Sequence, residues 1–88
     1  MRIYMQSQPE IQQAARYFQL VLHEDLIEGW NLLIENGTQG SAGRTRREHF
    51  VTWDDALDRL VQIRDQQVKR GYKVMHVQGQ SQPQPKSE

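Results

Sequence analysis

The sequence contains no cysteine and has no excess of charge of either sign. Without cysteine, the chain cannot form disulfides, thiolate nucleophiles or cysteine-based zinc and iron–sulfur sites, and a reducing cytoplasm is a compatible setting. The 11 Lys and Arg residues balance the 11 Asp and Glu residues, so no global field draws the whole chain to nucleic acid or to an anionic membrane. Any electrostatic binding must therefore be local.

Long apolar runs are also missing from the 88 residues. The sequence therefore predicts neither a membrane span nor the core of a signal peptide, and we expect a cytoplasmic protein without a membrane partner. Hydrophobic residues make up 36% of the chain and charged residues 25%, with a mean hydropathy of −0.84, which is typical of a polar but globular protein. A chain of this length has room for one compact domain.

Both ends of the chain are rich in glutamine. Residues 78–88 include two prolines, and no apolar residue follows Val77, so this stretch cannot offset the entropy lost on ordering. We expect a single domain over residues 1–77 and a flexible Gln/Pro-rich tail over residues 78–88. Near the N-terminus, residues 2–6 alternate in polarity and predict a short edge strand that Pro9 closes.

Three further segments alternate apolar and polar side chains with the period of a β-strand, over residues 16–23, 30–35 and 44–51. An acidic turn that ends at Gly29 joins the first two segments, which predicts a hairpin. The glycine-rich segment 36–43 then leads into the third strand, which we expect to continue the antiparallel sheet.

One helix is predicted after the third strand. Thr52 is a favourable N-cap, Asp55 completes a capping box, and Gly71 is expected to end the helix. Apolar residues recur between these points at helical spacing: Trp53, Ala56, Leu57, Leu60, Val61, Ile63 and Val68. Residues 72–77 alternate again and predict a closing strand. The fold class is therefore α+β, an antiparallel β-sheet with one helix packed on one face.

The residues show no catalytic or metal-binding pattern. His23, His49 and His76 are far apart in sequence and fall on different predicted strands, so a metal site is not expected. The acidic cluster between Glu24 and Glu28 is better explained as a solvated hairpin turn than as a catalytic pair, because a domain this small offers little pocket. We expect a protein without enzymatic activity, cofactor or metal.

The glycine-rich segment and the strand after it are the candidate binding elements. Gly37, Gly40 and Gly43 suggest a phosphate cradle, but the segment joins two strands and lacks the lysine of a P-loop. The alternative is a hairpin loop whose glycines adopt positive φ.

Arg44, Arg46 and Arg47 are the densest positive charge in the chain. On a strand, Arg44 and Arg46 share one face and Arg47 lies on the other. Guanidinium forks suit phosphate oxygens, which favours nucleic-acid binding. The alternative is a strand kept soluble by arginine and paired across the sheet with Glu35 or Glu48.

From about Tyr17 to Tyr72, and on through Val77, the chain resembles the WGR domain, a module of poly(ADP-ribose) polymerases and of many small bacterial proteins. The resemblance rests on elements in a fixed order: a strand with an acidic turn, Gly29-Trp30, the glycine loop, an arginine-rich strand ending at Phe50, the Ala56-Leu57 helix and the closing Lys69-Arg70-Gly71-Tyr72.

The resemblance implies an antiparallel sheet with one helix and a nucleic-acid-binding role, and in the polymerases the domain contacts DNA at strand breaks. The family is named for a Trp-Gly-Arg triplet, at whose positions this sequence has Asn36, Gly37 and Thr38. The family's tryptophan packs on the end of a DNA strand, and Asn36 cannot supply that stacking. Gly40 matches the glycine after the triplet, and the arginine strand is kept.

Two functions follow as hypotheses. The first is binding of DNA, in particular ends or nicks, through a set of residues that combines the loop and the strand: Asn36, Gly37, Thr38, Gly40, Arg44, Arg46 and Arg47. The second is a protein-interaction or self-association module in which a sheet edge or face, including Tyr4 and Tyr17, meets a partner chain.

Overall fold

A computed structural model describes residues 1–8 and 14–79. Its elements follow the chain in this order: β1 (Arg2–Gln6), β2 (Arg16–Glu24), β3 (Trp30–Thr38), β4 (Arg44–Phe50), α1 (Trp53–Lys69) and β5 (Lys73–Gln78). The strands form one five-stranded sheet in the order β4-β3-β2-β1-β5, with every neighbouring pair antiparallel. The predicted α+β class, one helix on one face of an antiparallel sheet, is confirmed.

The core lies between α1 and the face of the sheet that it covers. The alternation predicted for the strands places Phe18, Leu20 and Leu22 on this face, where all three are buried. The other core residues come from β1, β3 and the helix: Ile3, Met5, Leu32, Ile34, Trp53, Ala56, Leu60 and Ile63. The opposite face of the sheet, called the open face below, is not covered by the helix.

Both ends of the helix are fixed by the predicted residues. The Thr52 hydroxyl accepts a hydrogen bond from the Asp55 N–H at 3.1 Å, as in a capping box. At the other end Gly71 adopts a φ of +103°, and the Tyr72 N–H donates to the Gln67 carbonyl at 3.0 Å, the pattern of a Schellman motif. Because this turn redirects the chain, Tyr72 packs edge-on against Phe18, and the strand starts one residue later than predicted.

The segment over residues 2–6 forms a strand, but its predicted position at the sheet edge is wrong. It lies between β2 and β5, and β5 is the edge. The helix that follows β4 returns the chain beside β1 instead of beside β4, so β5 takes the outer position and β1 lies inside the sheet.

Two smaller expectations also need correction. Val68 is 48% exposed, and Gln67 takes the buried place on the helix because it lies four residues after Ile63 and continues the stripe. The strand predicted to run to residue 51 ends at Phe50, and Val51 is exposed where the chain turns into the helix.

The expected boundary between domain and tail remains a prediction. Gln78 is the last residue of β5, Gly79 follows it, and the rest of the tail lies outside the described residues, as does Pro9. Within the part of the chain that the structure describes, no helix is long and apolar enough to span a membrane.

The helix stripe predicts a matched pair of stability effects. L60A removes a fully buried side chain from the centre of the core and should lower the free energy of unfolding by about 2–5 kcal/mol. Val68 was predicted to belong to the apolar stripe, but it faces solvent. V68A should therefore change the free energy of unfolding by no more than about 0.5 kcal/mol. Urea unfolding followed by circular dichroism measures both, and equal losses would show that Val68 is packed.

Candidate nucleic-acid interface

The central strand β3 divides the candidate binding residues between the two faces of the sheet. Asn36 pairs with Arg44 and Ile34 pairs with Arg46, and because side chains alternate along a strand, Asn36, Arg44 and Arg46 share the helix side. Arg47 pairs with Leu33 and lies on the open face. The predicted split of the arginine cluster therefore holds, and only part of the cluster shares a surface with Asn36.

Asn36, Arg44 and Arg46 line one recess on the helix side of β3 and β4. The recess has a volume of about 330 Å³, and Ile34 and Thr45 complete its lining. All three polar side chains belong to exposed residues, so their donors are accessible to a ligand. Two guanidiniums and one amide around a cavity of this size can bind an oxyanion through charge-assisted hydrogen bonds.

Arg46 already contacts a carboxylate of the protein, whereas Arg44 has no such partner among the described residues. Arg46 lies 3.6 Å from the Glu48 carboxylate, which also accepts hydrogen bonds from Arg59 at 2.9 and 3.3 Å. The Arg59 hydrogen bond is the main reason that the pKa of Glu48 is lowered from its ordinary value. Arg44 forms no ion pair with any described residue, so it is the more available cation of the recess.

The balanced net charge conceals a separation of charge along the molecule. The antiparallel pairing places the start of β2 and β4, the end of β3, the start of β5 and the end of the helix at one end of the sheet. We call this the basic end, and its cations are Arg16, Arg44, Arg46, Lys69, Arg70 and Lys73. The opposite end contains the β2–β3 turn and the helix start, with Glu24, Asp25, Glu28, Asp54, Asp55 and Asp58.

Arg16 is a basic-end residue that the sequence prediction missed. It pairs with Thr38, the last residue of β3, and is exposed. The β2–β3 register runs without a break from Glu24 opposite Trp30, so extending the second predicted strand by three residues, from 35 to 38, would have brought Thr38 beside Arg16. The signal was therefore present in the sequence.

The glycines of the β3–β4 loop have different roles. Gly40 alone among the three adopts a positive φ, +84°, in the turn that the Ser41 N–H closes onto the Thr38 carbonyl, and a Cβ built there would meet nothing within 4 Å. A Cβ on Gly37 would lie 3.1 Å from the Tyr17 ring, and one on Gly43 would clash with the Tyr17 hydroxyl. The expectation of positive φ is thus wrong for Gly37 and Gly43. Gly43 is small because the Tyr17 hydroxyl packs against it, and Gly37 is small because the Gly43 backbone and the Tyr17 ring both lie close to it.

Tyr17 forms an ordered aromatic pair with Tyr4 on the open face. Their ring centroids are 6.1 Å apart and the rings are within 17° of parallel. The Tyr17 hydroxyl donates to Glu35 at 2.8 Å, which raises the pKa of Tyr17, and the Gln39 side-chain amide donates to the Tyr4 hydroxyl. The loop that contains Gly40 is therefore tied to Tyr4, whereas Tyr17 is tied to β3.

The acidic cluster of the β2–β3 hairpin is explained by its turn. The Asp25 carboxylate accepts hydrogen bonds from the Ile27 N–H and from the Asn31 side chain, each at 2.8 Å. These bonds, the backbone one first, lower the pKa of Asp25. Because the carboxylate is committed to holding the turn, the cluster is not arranged as a catalytic pair.

Two of the three histidines lie close to this turn. His23 and His49 flank Asn31 in one row across the sheet, and His49 Nε2 lies 2.7 Å from the Glu28 carbonyl oxygen. His76 pairs with Tyr4 at the other side of the sheet. Among residues 1–8 and 14–79, no group of three His, Cys, Asp or Glu side chains is placed to hold a metal ion.

One known family matches the chain over every strand and the helix described above. The family model of the WGR domain covers residues 1–79, which includes all five strands and the helix. The chain belongs to the WGR family. No significant match to a curated protein or to a solved structure was found. WGR domains are in general nucleic-acid-binding domains, so the family and the basic end point to the same class of ligand.

The family match extends beyond the resemblance seen in the sequence. That resemblance began near Tyr17, whereas the WGR model also covers β1, the strand that contributes Tyr4. The positions of the family triplet, Asn36, Gly37 and Thr38, form the end of β3 at the basic end. In this WGR domain the triplet segment therefore separates the recess from the aromatic pair, with Asn36 on one face and Gly37 on the other.

The Glu48 ion pairs predict a specific dependence of stability on pH. Because folding lowers the pKa of Glu48, its ionised form stabilises the protein above its ordinary pKa of 4.5, and this contribution is lost as the pH falls below that value. The difference in free energy of unfolding between wild type and E48Q should therefore shrink in acid. Urea titrations between pH 7 and about pH 3 measure it, and R59Q, which removes the donor, should shrink the same difference. If the difference in free energy of unfolding between wild type and E48Q stayed constant with pH, the ionised Glu48 side chain would not be the stabilising group.

Proposed function

We propose that this WGR domain is a non-enzymatic DNA-binding module whose basic end holds the phosphate backbone. The observation that carries the proposal is the recess, where Asn36, Arg44 and Arg46 converge at the end of the molecule that is richest in cations. Guanidinium groups bind phosphate oxygens in a bidentate way, and a side-chain amide adds a further donor. A cytoplasmic setting belongs to the same proposal.

The other predicted site residues receive separate roles in the proposal. Thr38, with Arg16 beside it, extends the phosphate-binding surface past the end of β3. Gly40 allows a backbone to approach, since the space around it is open. Gly37 acts indirectly, because it leaves room for Tyr17, and Arg47 contacts phosphate from the open face.

We further propose that the preferred DNA contains an end or a nick. This part rests on the family resemblance, and the shape of the basic end supports it. The site consists of strand ends and one short loop, so it contacts few phosphates at a time. Such a surface gains little from a long continuous duplex, because affinity for duplex grows with the number of phosphates neutralised.

The proposal predicts salt-sensitive binding that depends on the recess. One phosphate neutralised by each of Arg16, Arg44, Arg46 and Arg47 gives a slope of log K against log salt of about −3.6, and the R44Q/R46Q variant, which leaves two, should give about −1.8. Fluorescence anisotropy of a labelled nicked duplex between about 50 and 200 mM salt measures the slope, with a hairpin-capped sealed duplex for comparison.

R64Q is the matched control for this experiment. It removes the same charge from the helix surface, where the guanidinium contacts only Asp65 among the described residues. It should keep the wild-type slope. An R44Q/R46Q slope equal to that of wild type, with the fold intact by circular dichroism, would remove the recess from the proposal.

A second candidate function, self-association or binding of a partner strand, is favoured by β5. Within the described residues this edge strand pairs only with β1, and all its residues are exposed, including Val74 at 41%, Met75 at 58% and Val77 at 57%. An apolar edge strand is a template for a further strand, whereas the other edge, β4, is protected by charge.

Self-association through β5 predicts a concentration-dependent mass. Light scattering coupled to size exclusion would then show a dimer for wild type and a monomer for M75K, since a lysine on an edge strand disfavours pairing. A wild-type protein that stays monomeric at high concentration rules out this second function in its self-association form.

A further inference from the structure

We propose that the Tyr4–Tyr17 pair on the open face is a binding site for unpaired nucleobases, so that the ligand of this domain is a duplex with a short single-stranded extension. The inference rests on the proposed function, because the recess holds the backbone that brings the extension to the tyrosines. The recess can hold phosphates, but it offers no stacking surface to the bases, because its lining contains no aromatic side chain.

The two rings are held in place by the protein itself. Each tyrosine is half-buried, and each hydroxyl has a fixed partner, Glu35 for Tyr17 and Gln39 for Tyr4. The rings therefore lose little further entropy when a ligand binds. Ordered aromatic side chains on a sheet surface are the means by which proteins bind single-stranded nucleic acid, because every base offers a π-face for stacking.

Two glycines leave the space in which the Tyr17 ring lies. Tyr17 sits directly opposite Gly37 in the β2–β3 register, and its hydroxyl fills the position that a side chain on Gly43 would take. A side chain at Gly43 would displace the Tyr17 hydroxyl, and one at Gly37 would press on both the Gly43 backbone and the Tyr17 ring. The two glycines that the sequence suggested as a phosphate cradle thus serve to seat an aromatic ring.

The open face combines cationic side chains with an apolar centre. One row across the sheet runs from Arg47 through Leu33 and Val21 to Arg2, so two cations flank an apolar centre. The neighbouring row contains Tyr4. Two carboxylates lie near this face: Glu35, in the same row as Tyr4, accepts the Tyr17 hydroxyl and so orients the ring, and Asp25 holds the hairpin turn. Guanidiniums around an apolar and aromatic centre are complementary to bases joined by phosphates.

The recess and the aromatic pair adjoin each other across β3. Asn36 and Gly37 are consecutive residues on opposite faces of β3, and β4, the edge strand beside them, begins at Arg44. A nucleic-acid strand that leaves the recess has only this edge or the β3–β4 loop to pass before it reaches the tyrosines. The Gly40 turn, which has open space around it, leaves that route free.

The test compares three labelled ligands of identical duplex length by fluorescence anisotropy. One is blunt, one has a six-nucleotide single-stranded extension, and one has the same extension built from abasic nucleotides, which keep the phosphates and lack the bases. Wild type should bind the base-bearing extension about tenfold more tightly than the abasic one, because stacking on an aromatic side chain contributes about that factor. The abasic and blunt ligands should differ only by the added phosphates.

Substitutions at the tyrosines separate stacking from structure. Y4L and Y17L should bind the base-bearing extension no better than the abasic one and should leave binding of the blunt duplex unchanged. Y4F and Y17F keep the ring and lose only the hydroxyl partner, and they should retain the preference. Thermal unfolding of each variant establishes that the comparison is made on folded protein.

The possible results distinguish failure of the aromatic site from failure of the proposed DNA binding. Equal wild-type binding of base-bearing and abasic extensions, or an equal loss on the blunt and extended ligands in Y4L, would overturn the aromatic site while leaving the recess in place. Absence of binding to any of the three ligands at about 50 mM salt would overturn the proposed function itself. A preference for bases that survives in Y4L and Y17L would overturn the assignment to these two residues.

Discussion

The pairing of β3 with both its neighbours is the constraint on which the rest of the structure depends. This strand is bonded to β2 along nine residue pairs and to β4 along seven, so its register fixes what lies on each face of the sheet. A shift of one residue would exchange the faces, burying Leu33 and exposing Leu32 and Ile34. The same shift would move Asn36 out of the recess and Gly37 away from Tyr17. The core and the candidate site are therefore specified by one set of backbone hydrogen bonds.

The same register explains how a chain without net charge presents a basic surface. Antiparallel strands bring the start of one segment next to the end of another, so residues distant in sequence, such as Arg16, Arg44 and Lys73, gather at one end. The helix reinforces the separation, with acidic residues in its first turn and a basic residue in its last, as the helix dipole favours. The net charge of the whole chain, which is zero, does not reveal this arrangement. A ligand that meets the protein at that end therefore meets more cations than the neutral composition suggests.

Much of the fold follows from local sequence features, and much of the site does not. Period-two alternation around Leu20 and the caps at Thr52 and Gly71 predict the strands and the helix, because these signals act over a few residues. The position of β1 inside the sheet depends instead on where a 17-residue helix returns the chain, which no local pattern contains. The reason for Gly43 lies on another strand, in Tyr17. The arginine cluster was visible in the sequence, but its division between recess and open face, and the Glu48 contact that occupies Arg46, depend on pairing across the sheet.

The most direct test of the central claim is a titration of the isotope-labelled protein with a nicked duplex, followed by backbone amide chemical shifts in NMR spectra. The claim is that the basic end of this WGR domain is the DNA-binding surface. The account predicts that shifts concentrate at residues 36–40 and 44–46 and around Arg16, and that residues 24–28 and 54–58 at the acidic end stay unchanged. Shifts confined to β5 or to the acidic end, or no shifts at low salt, would contradict it.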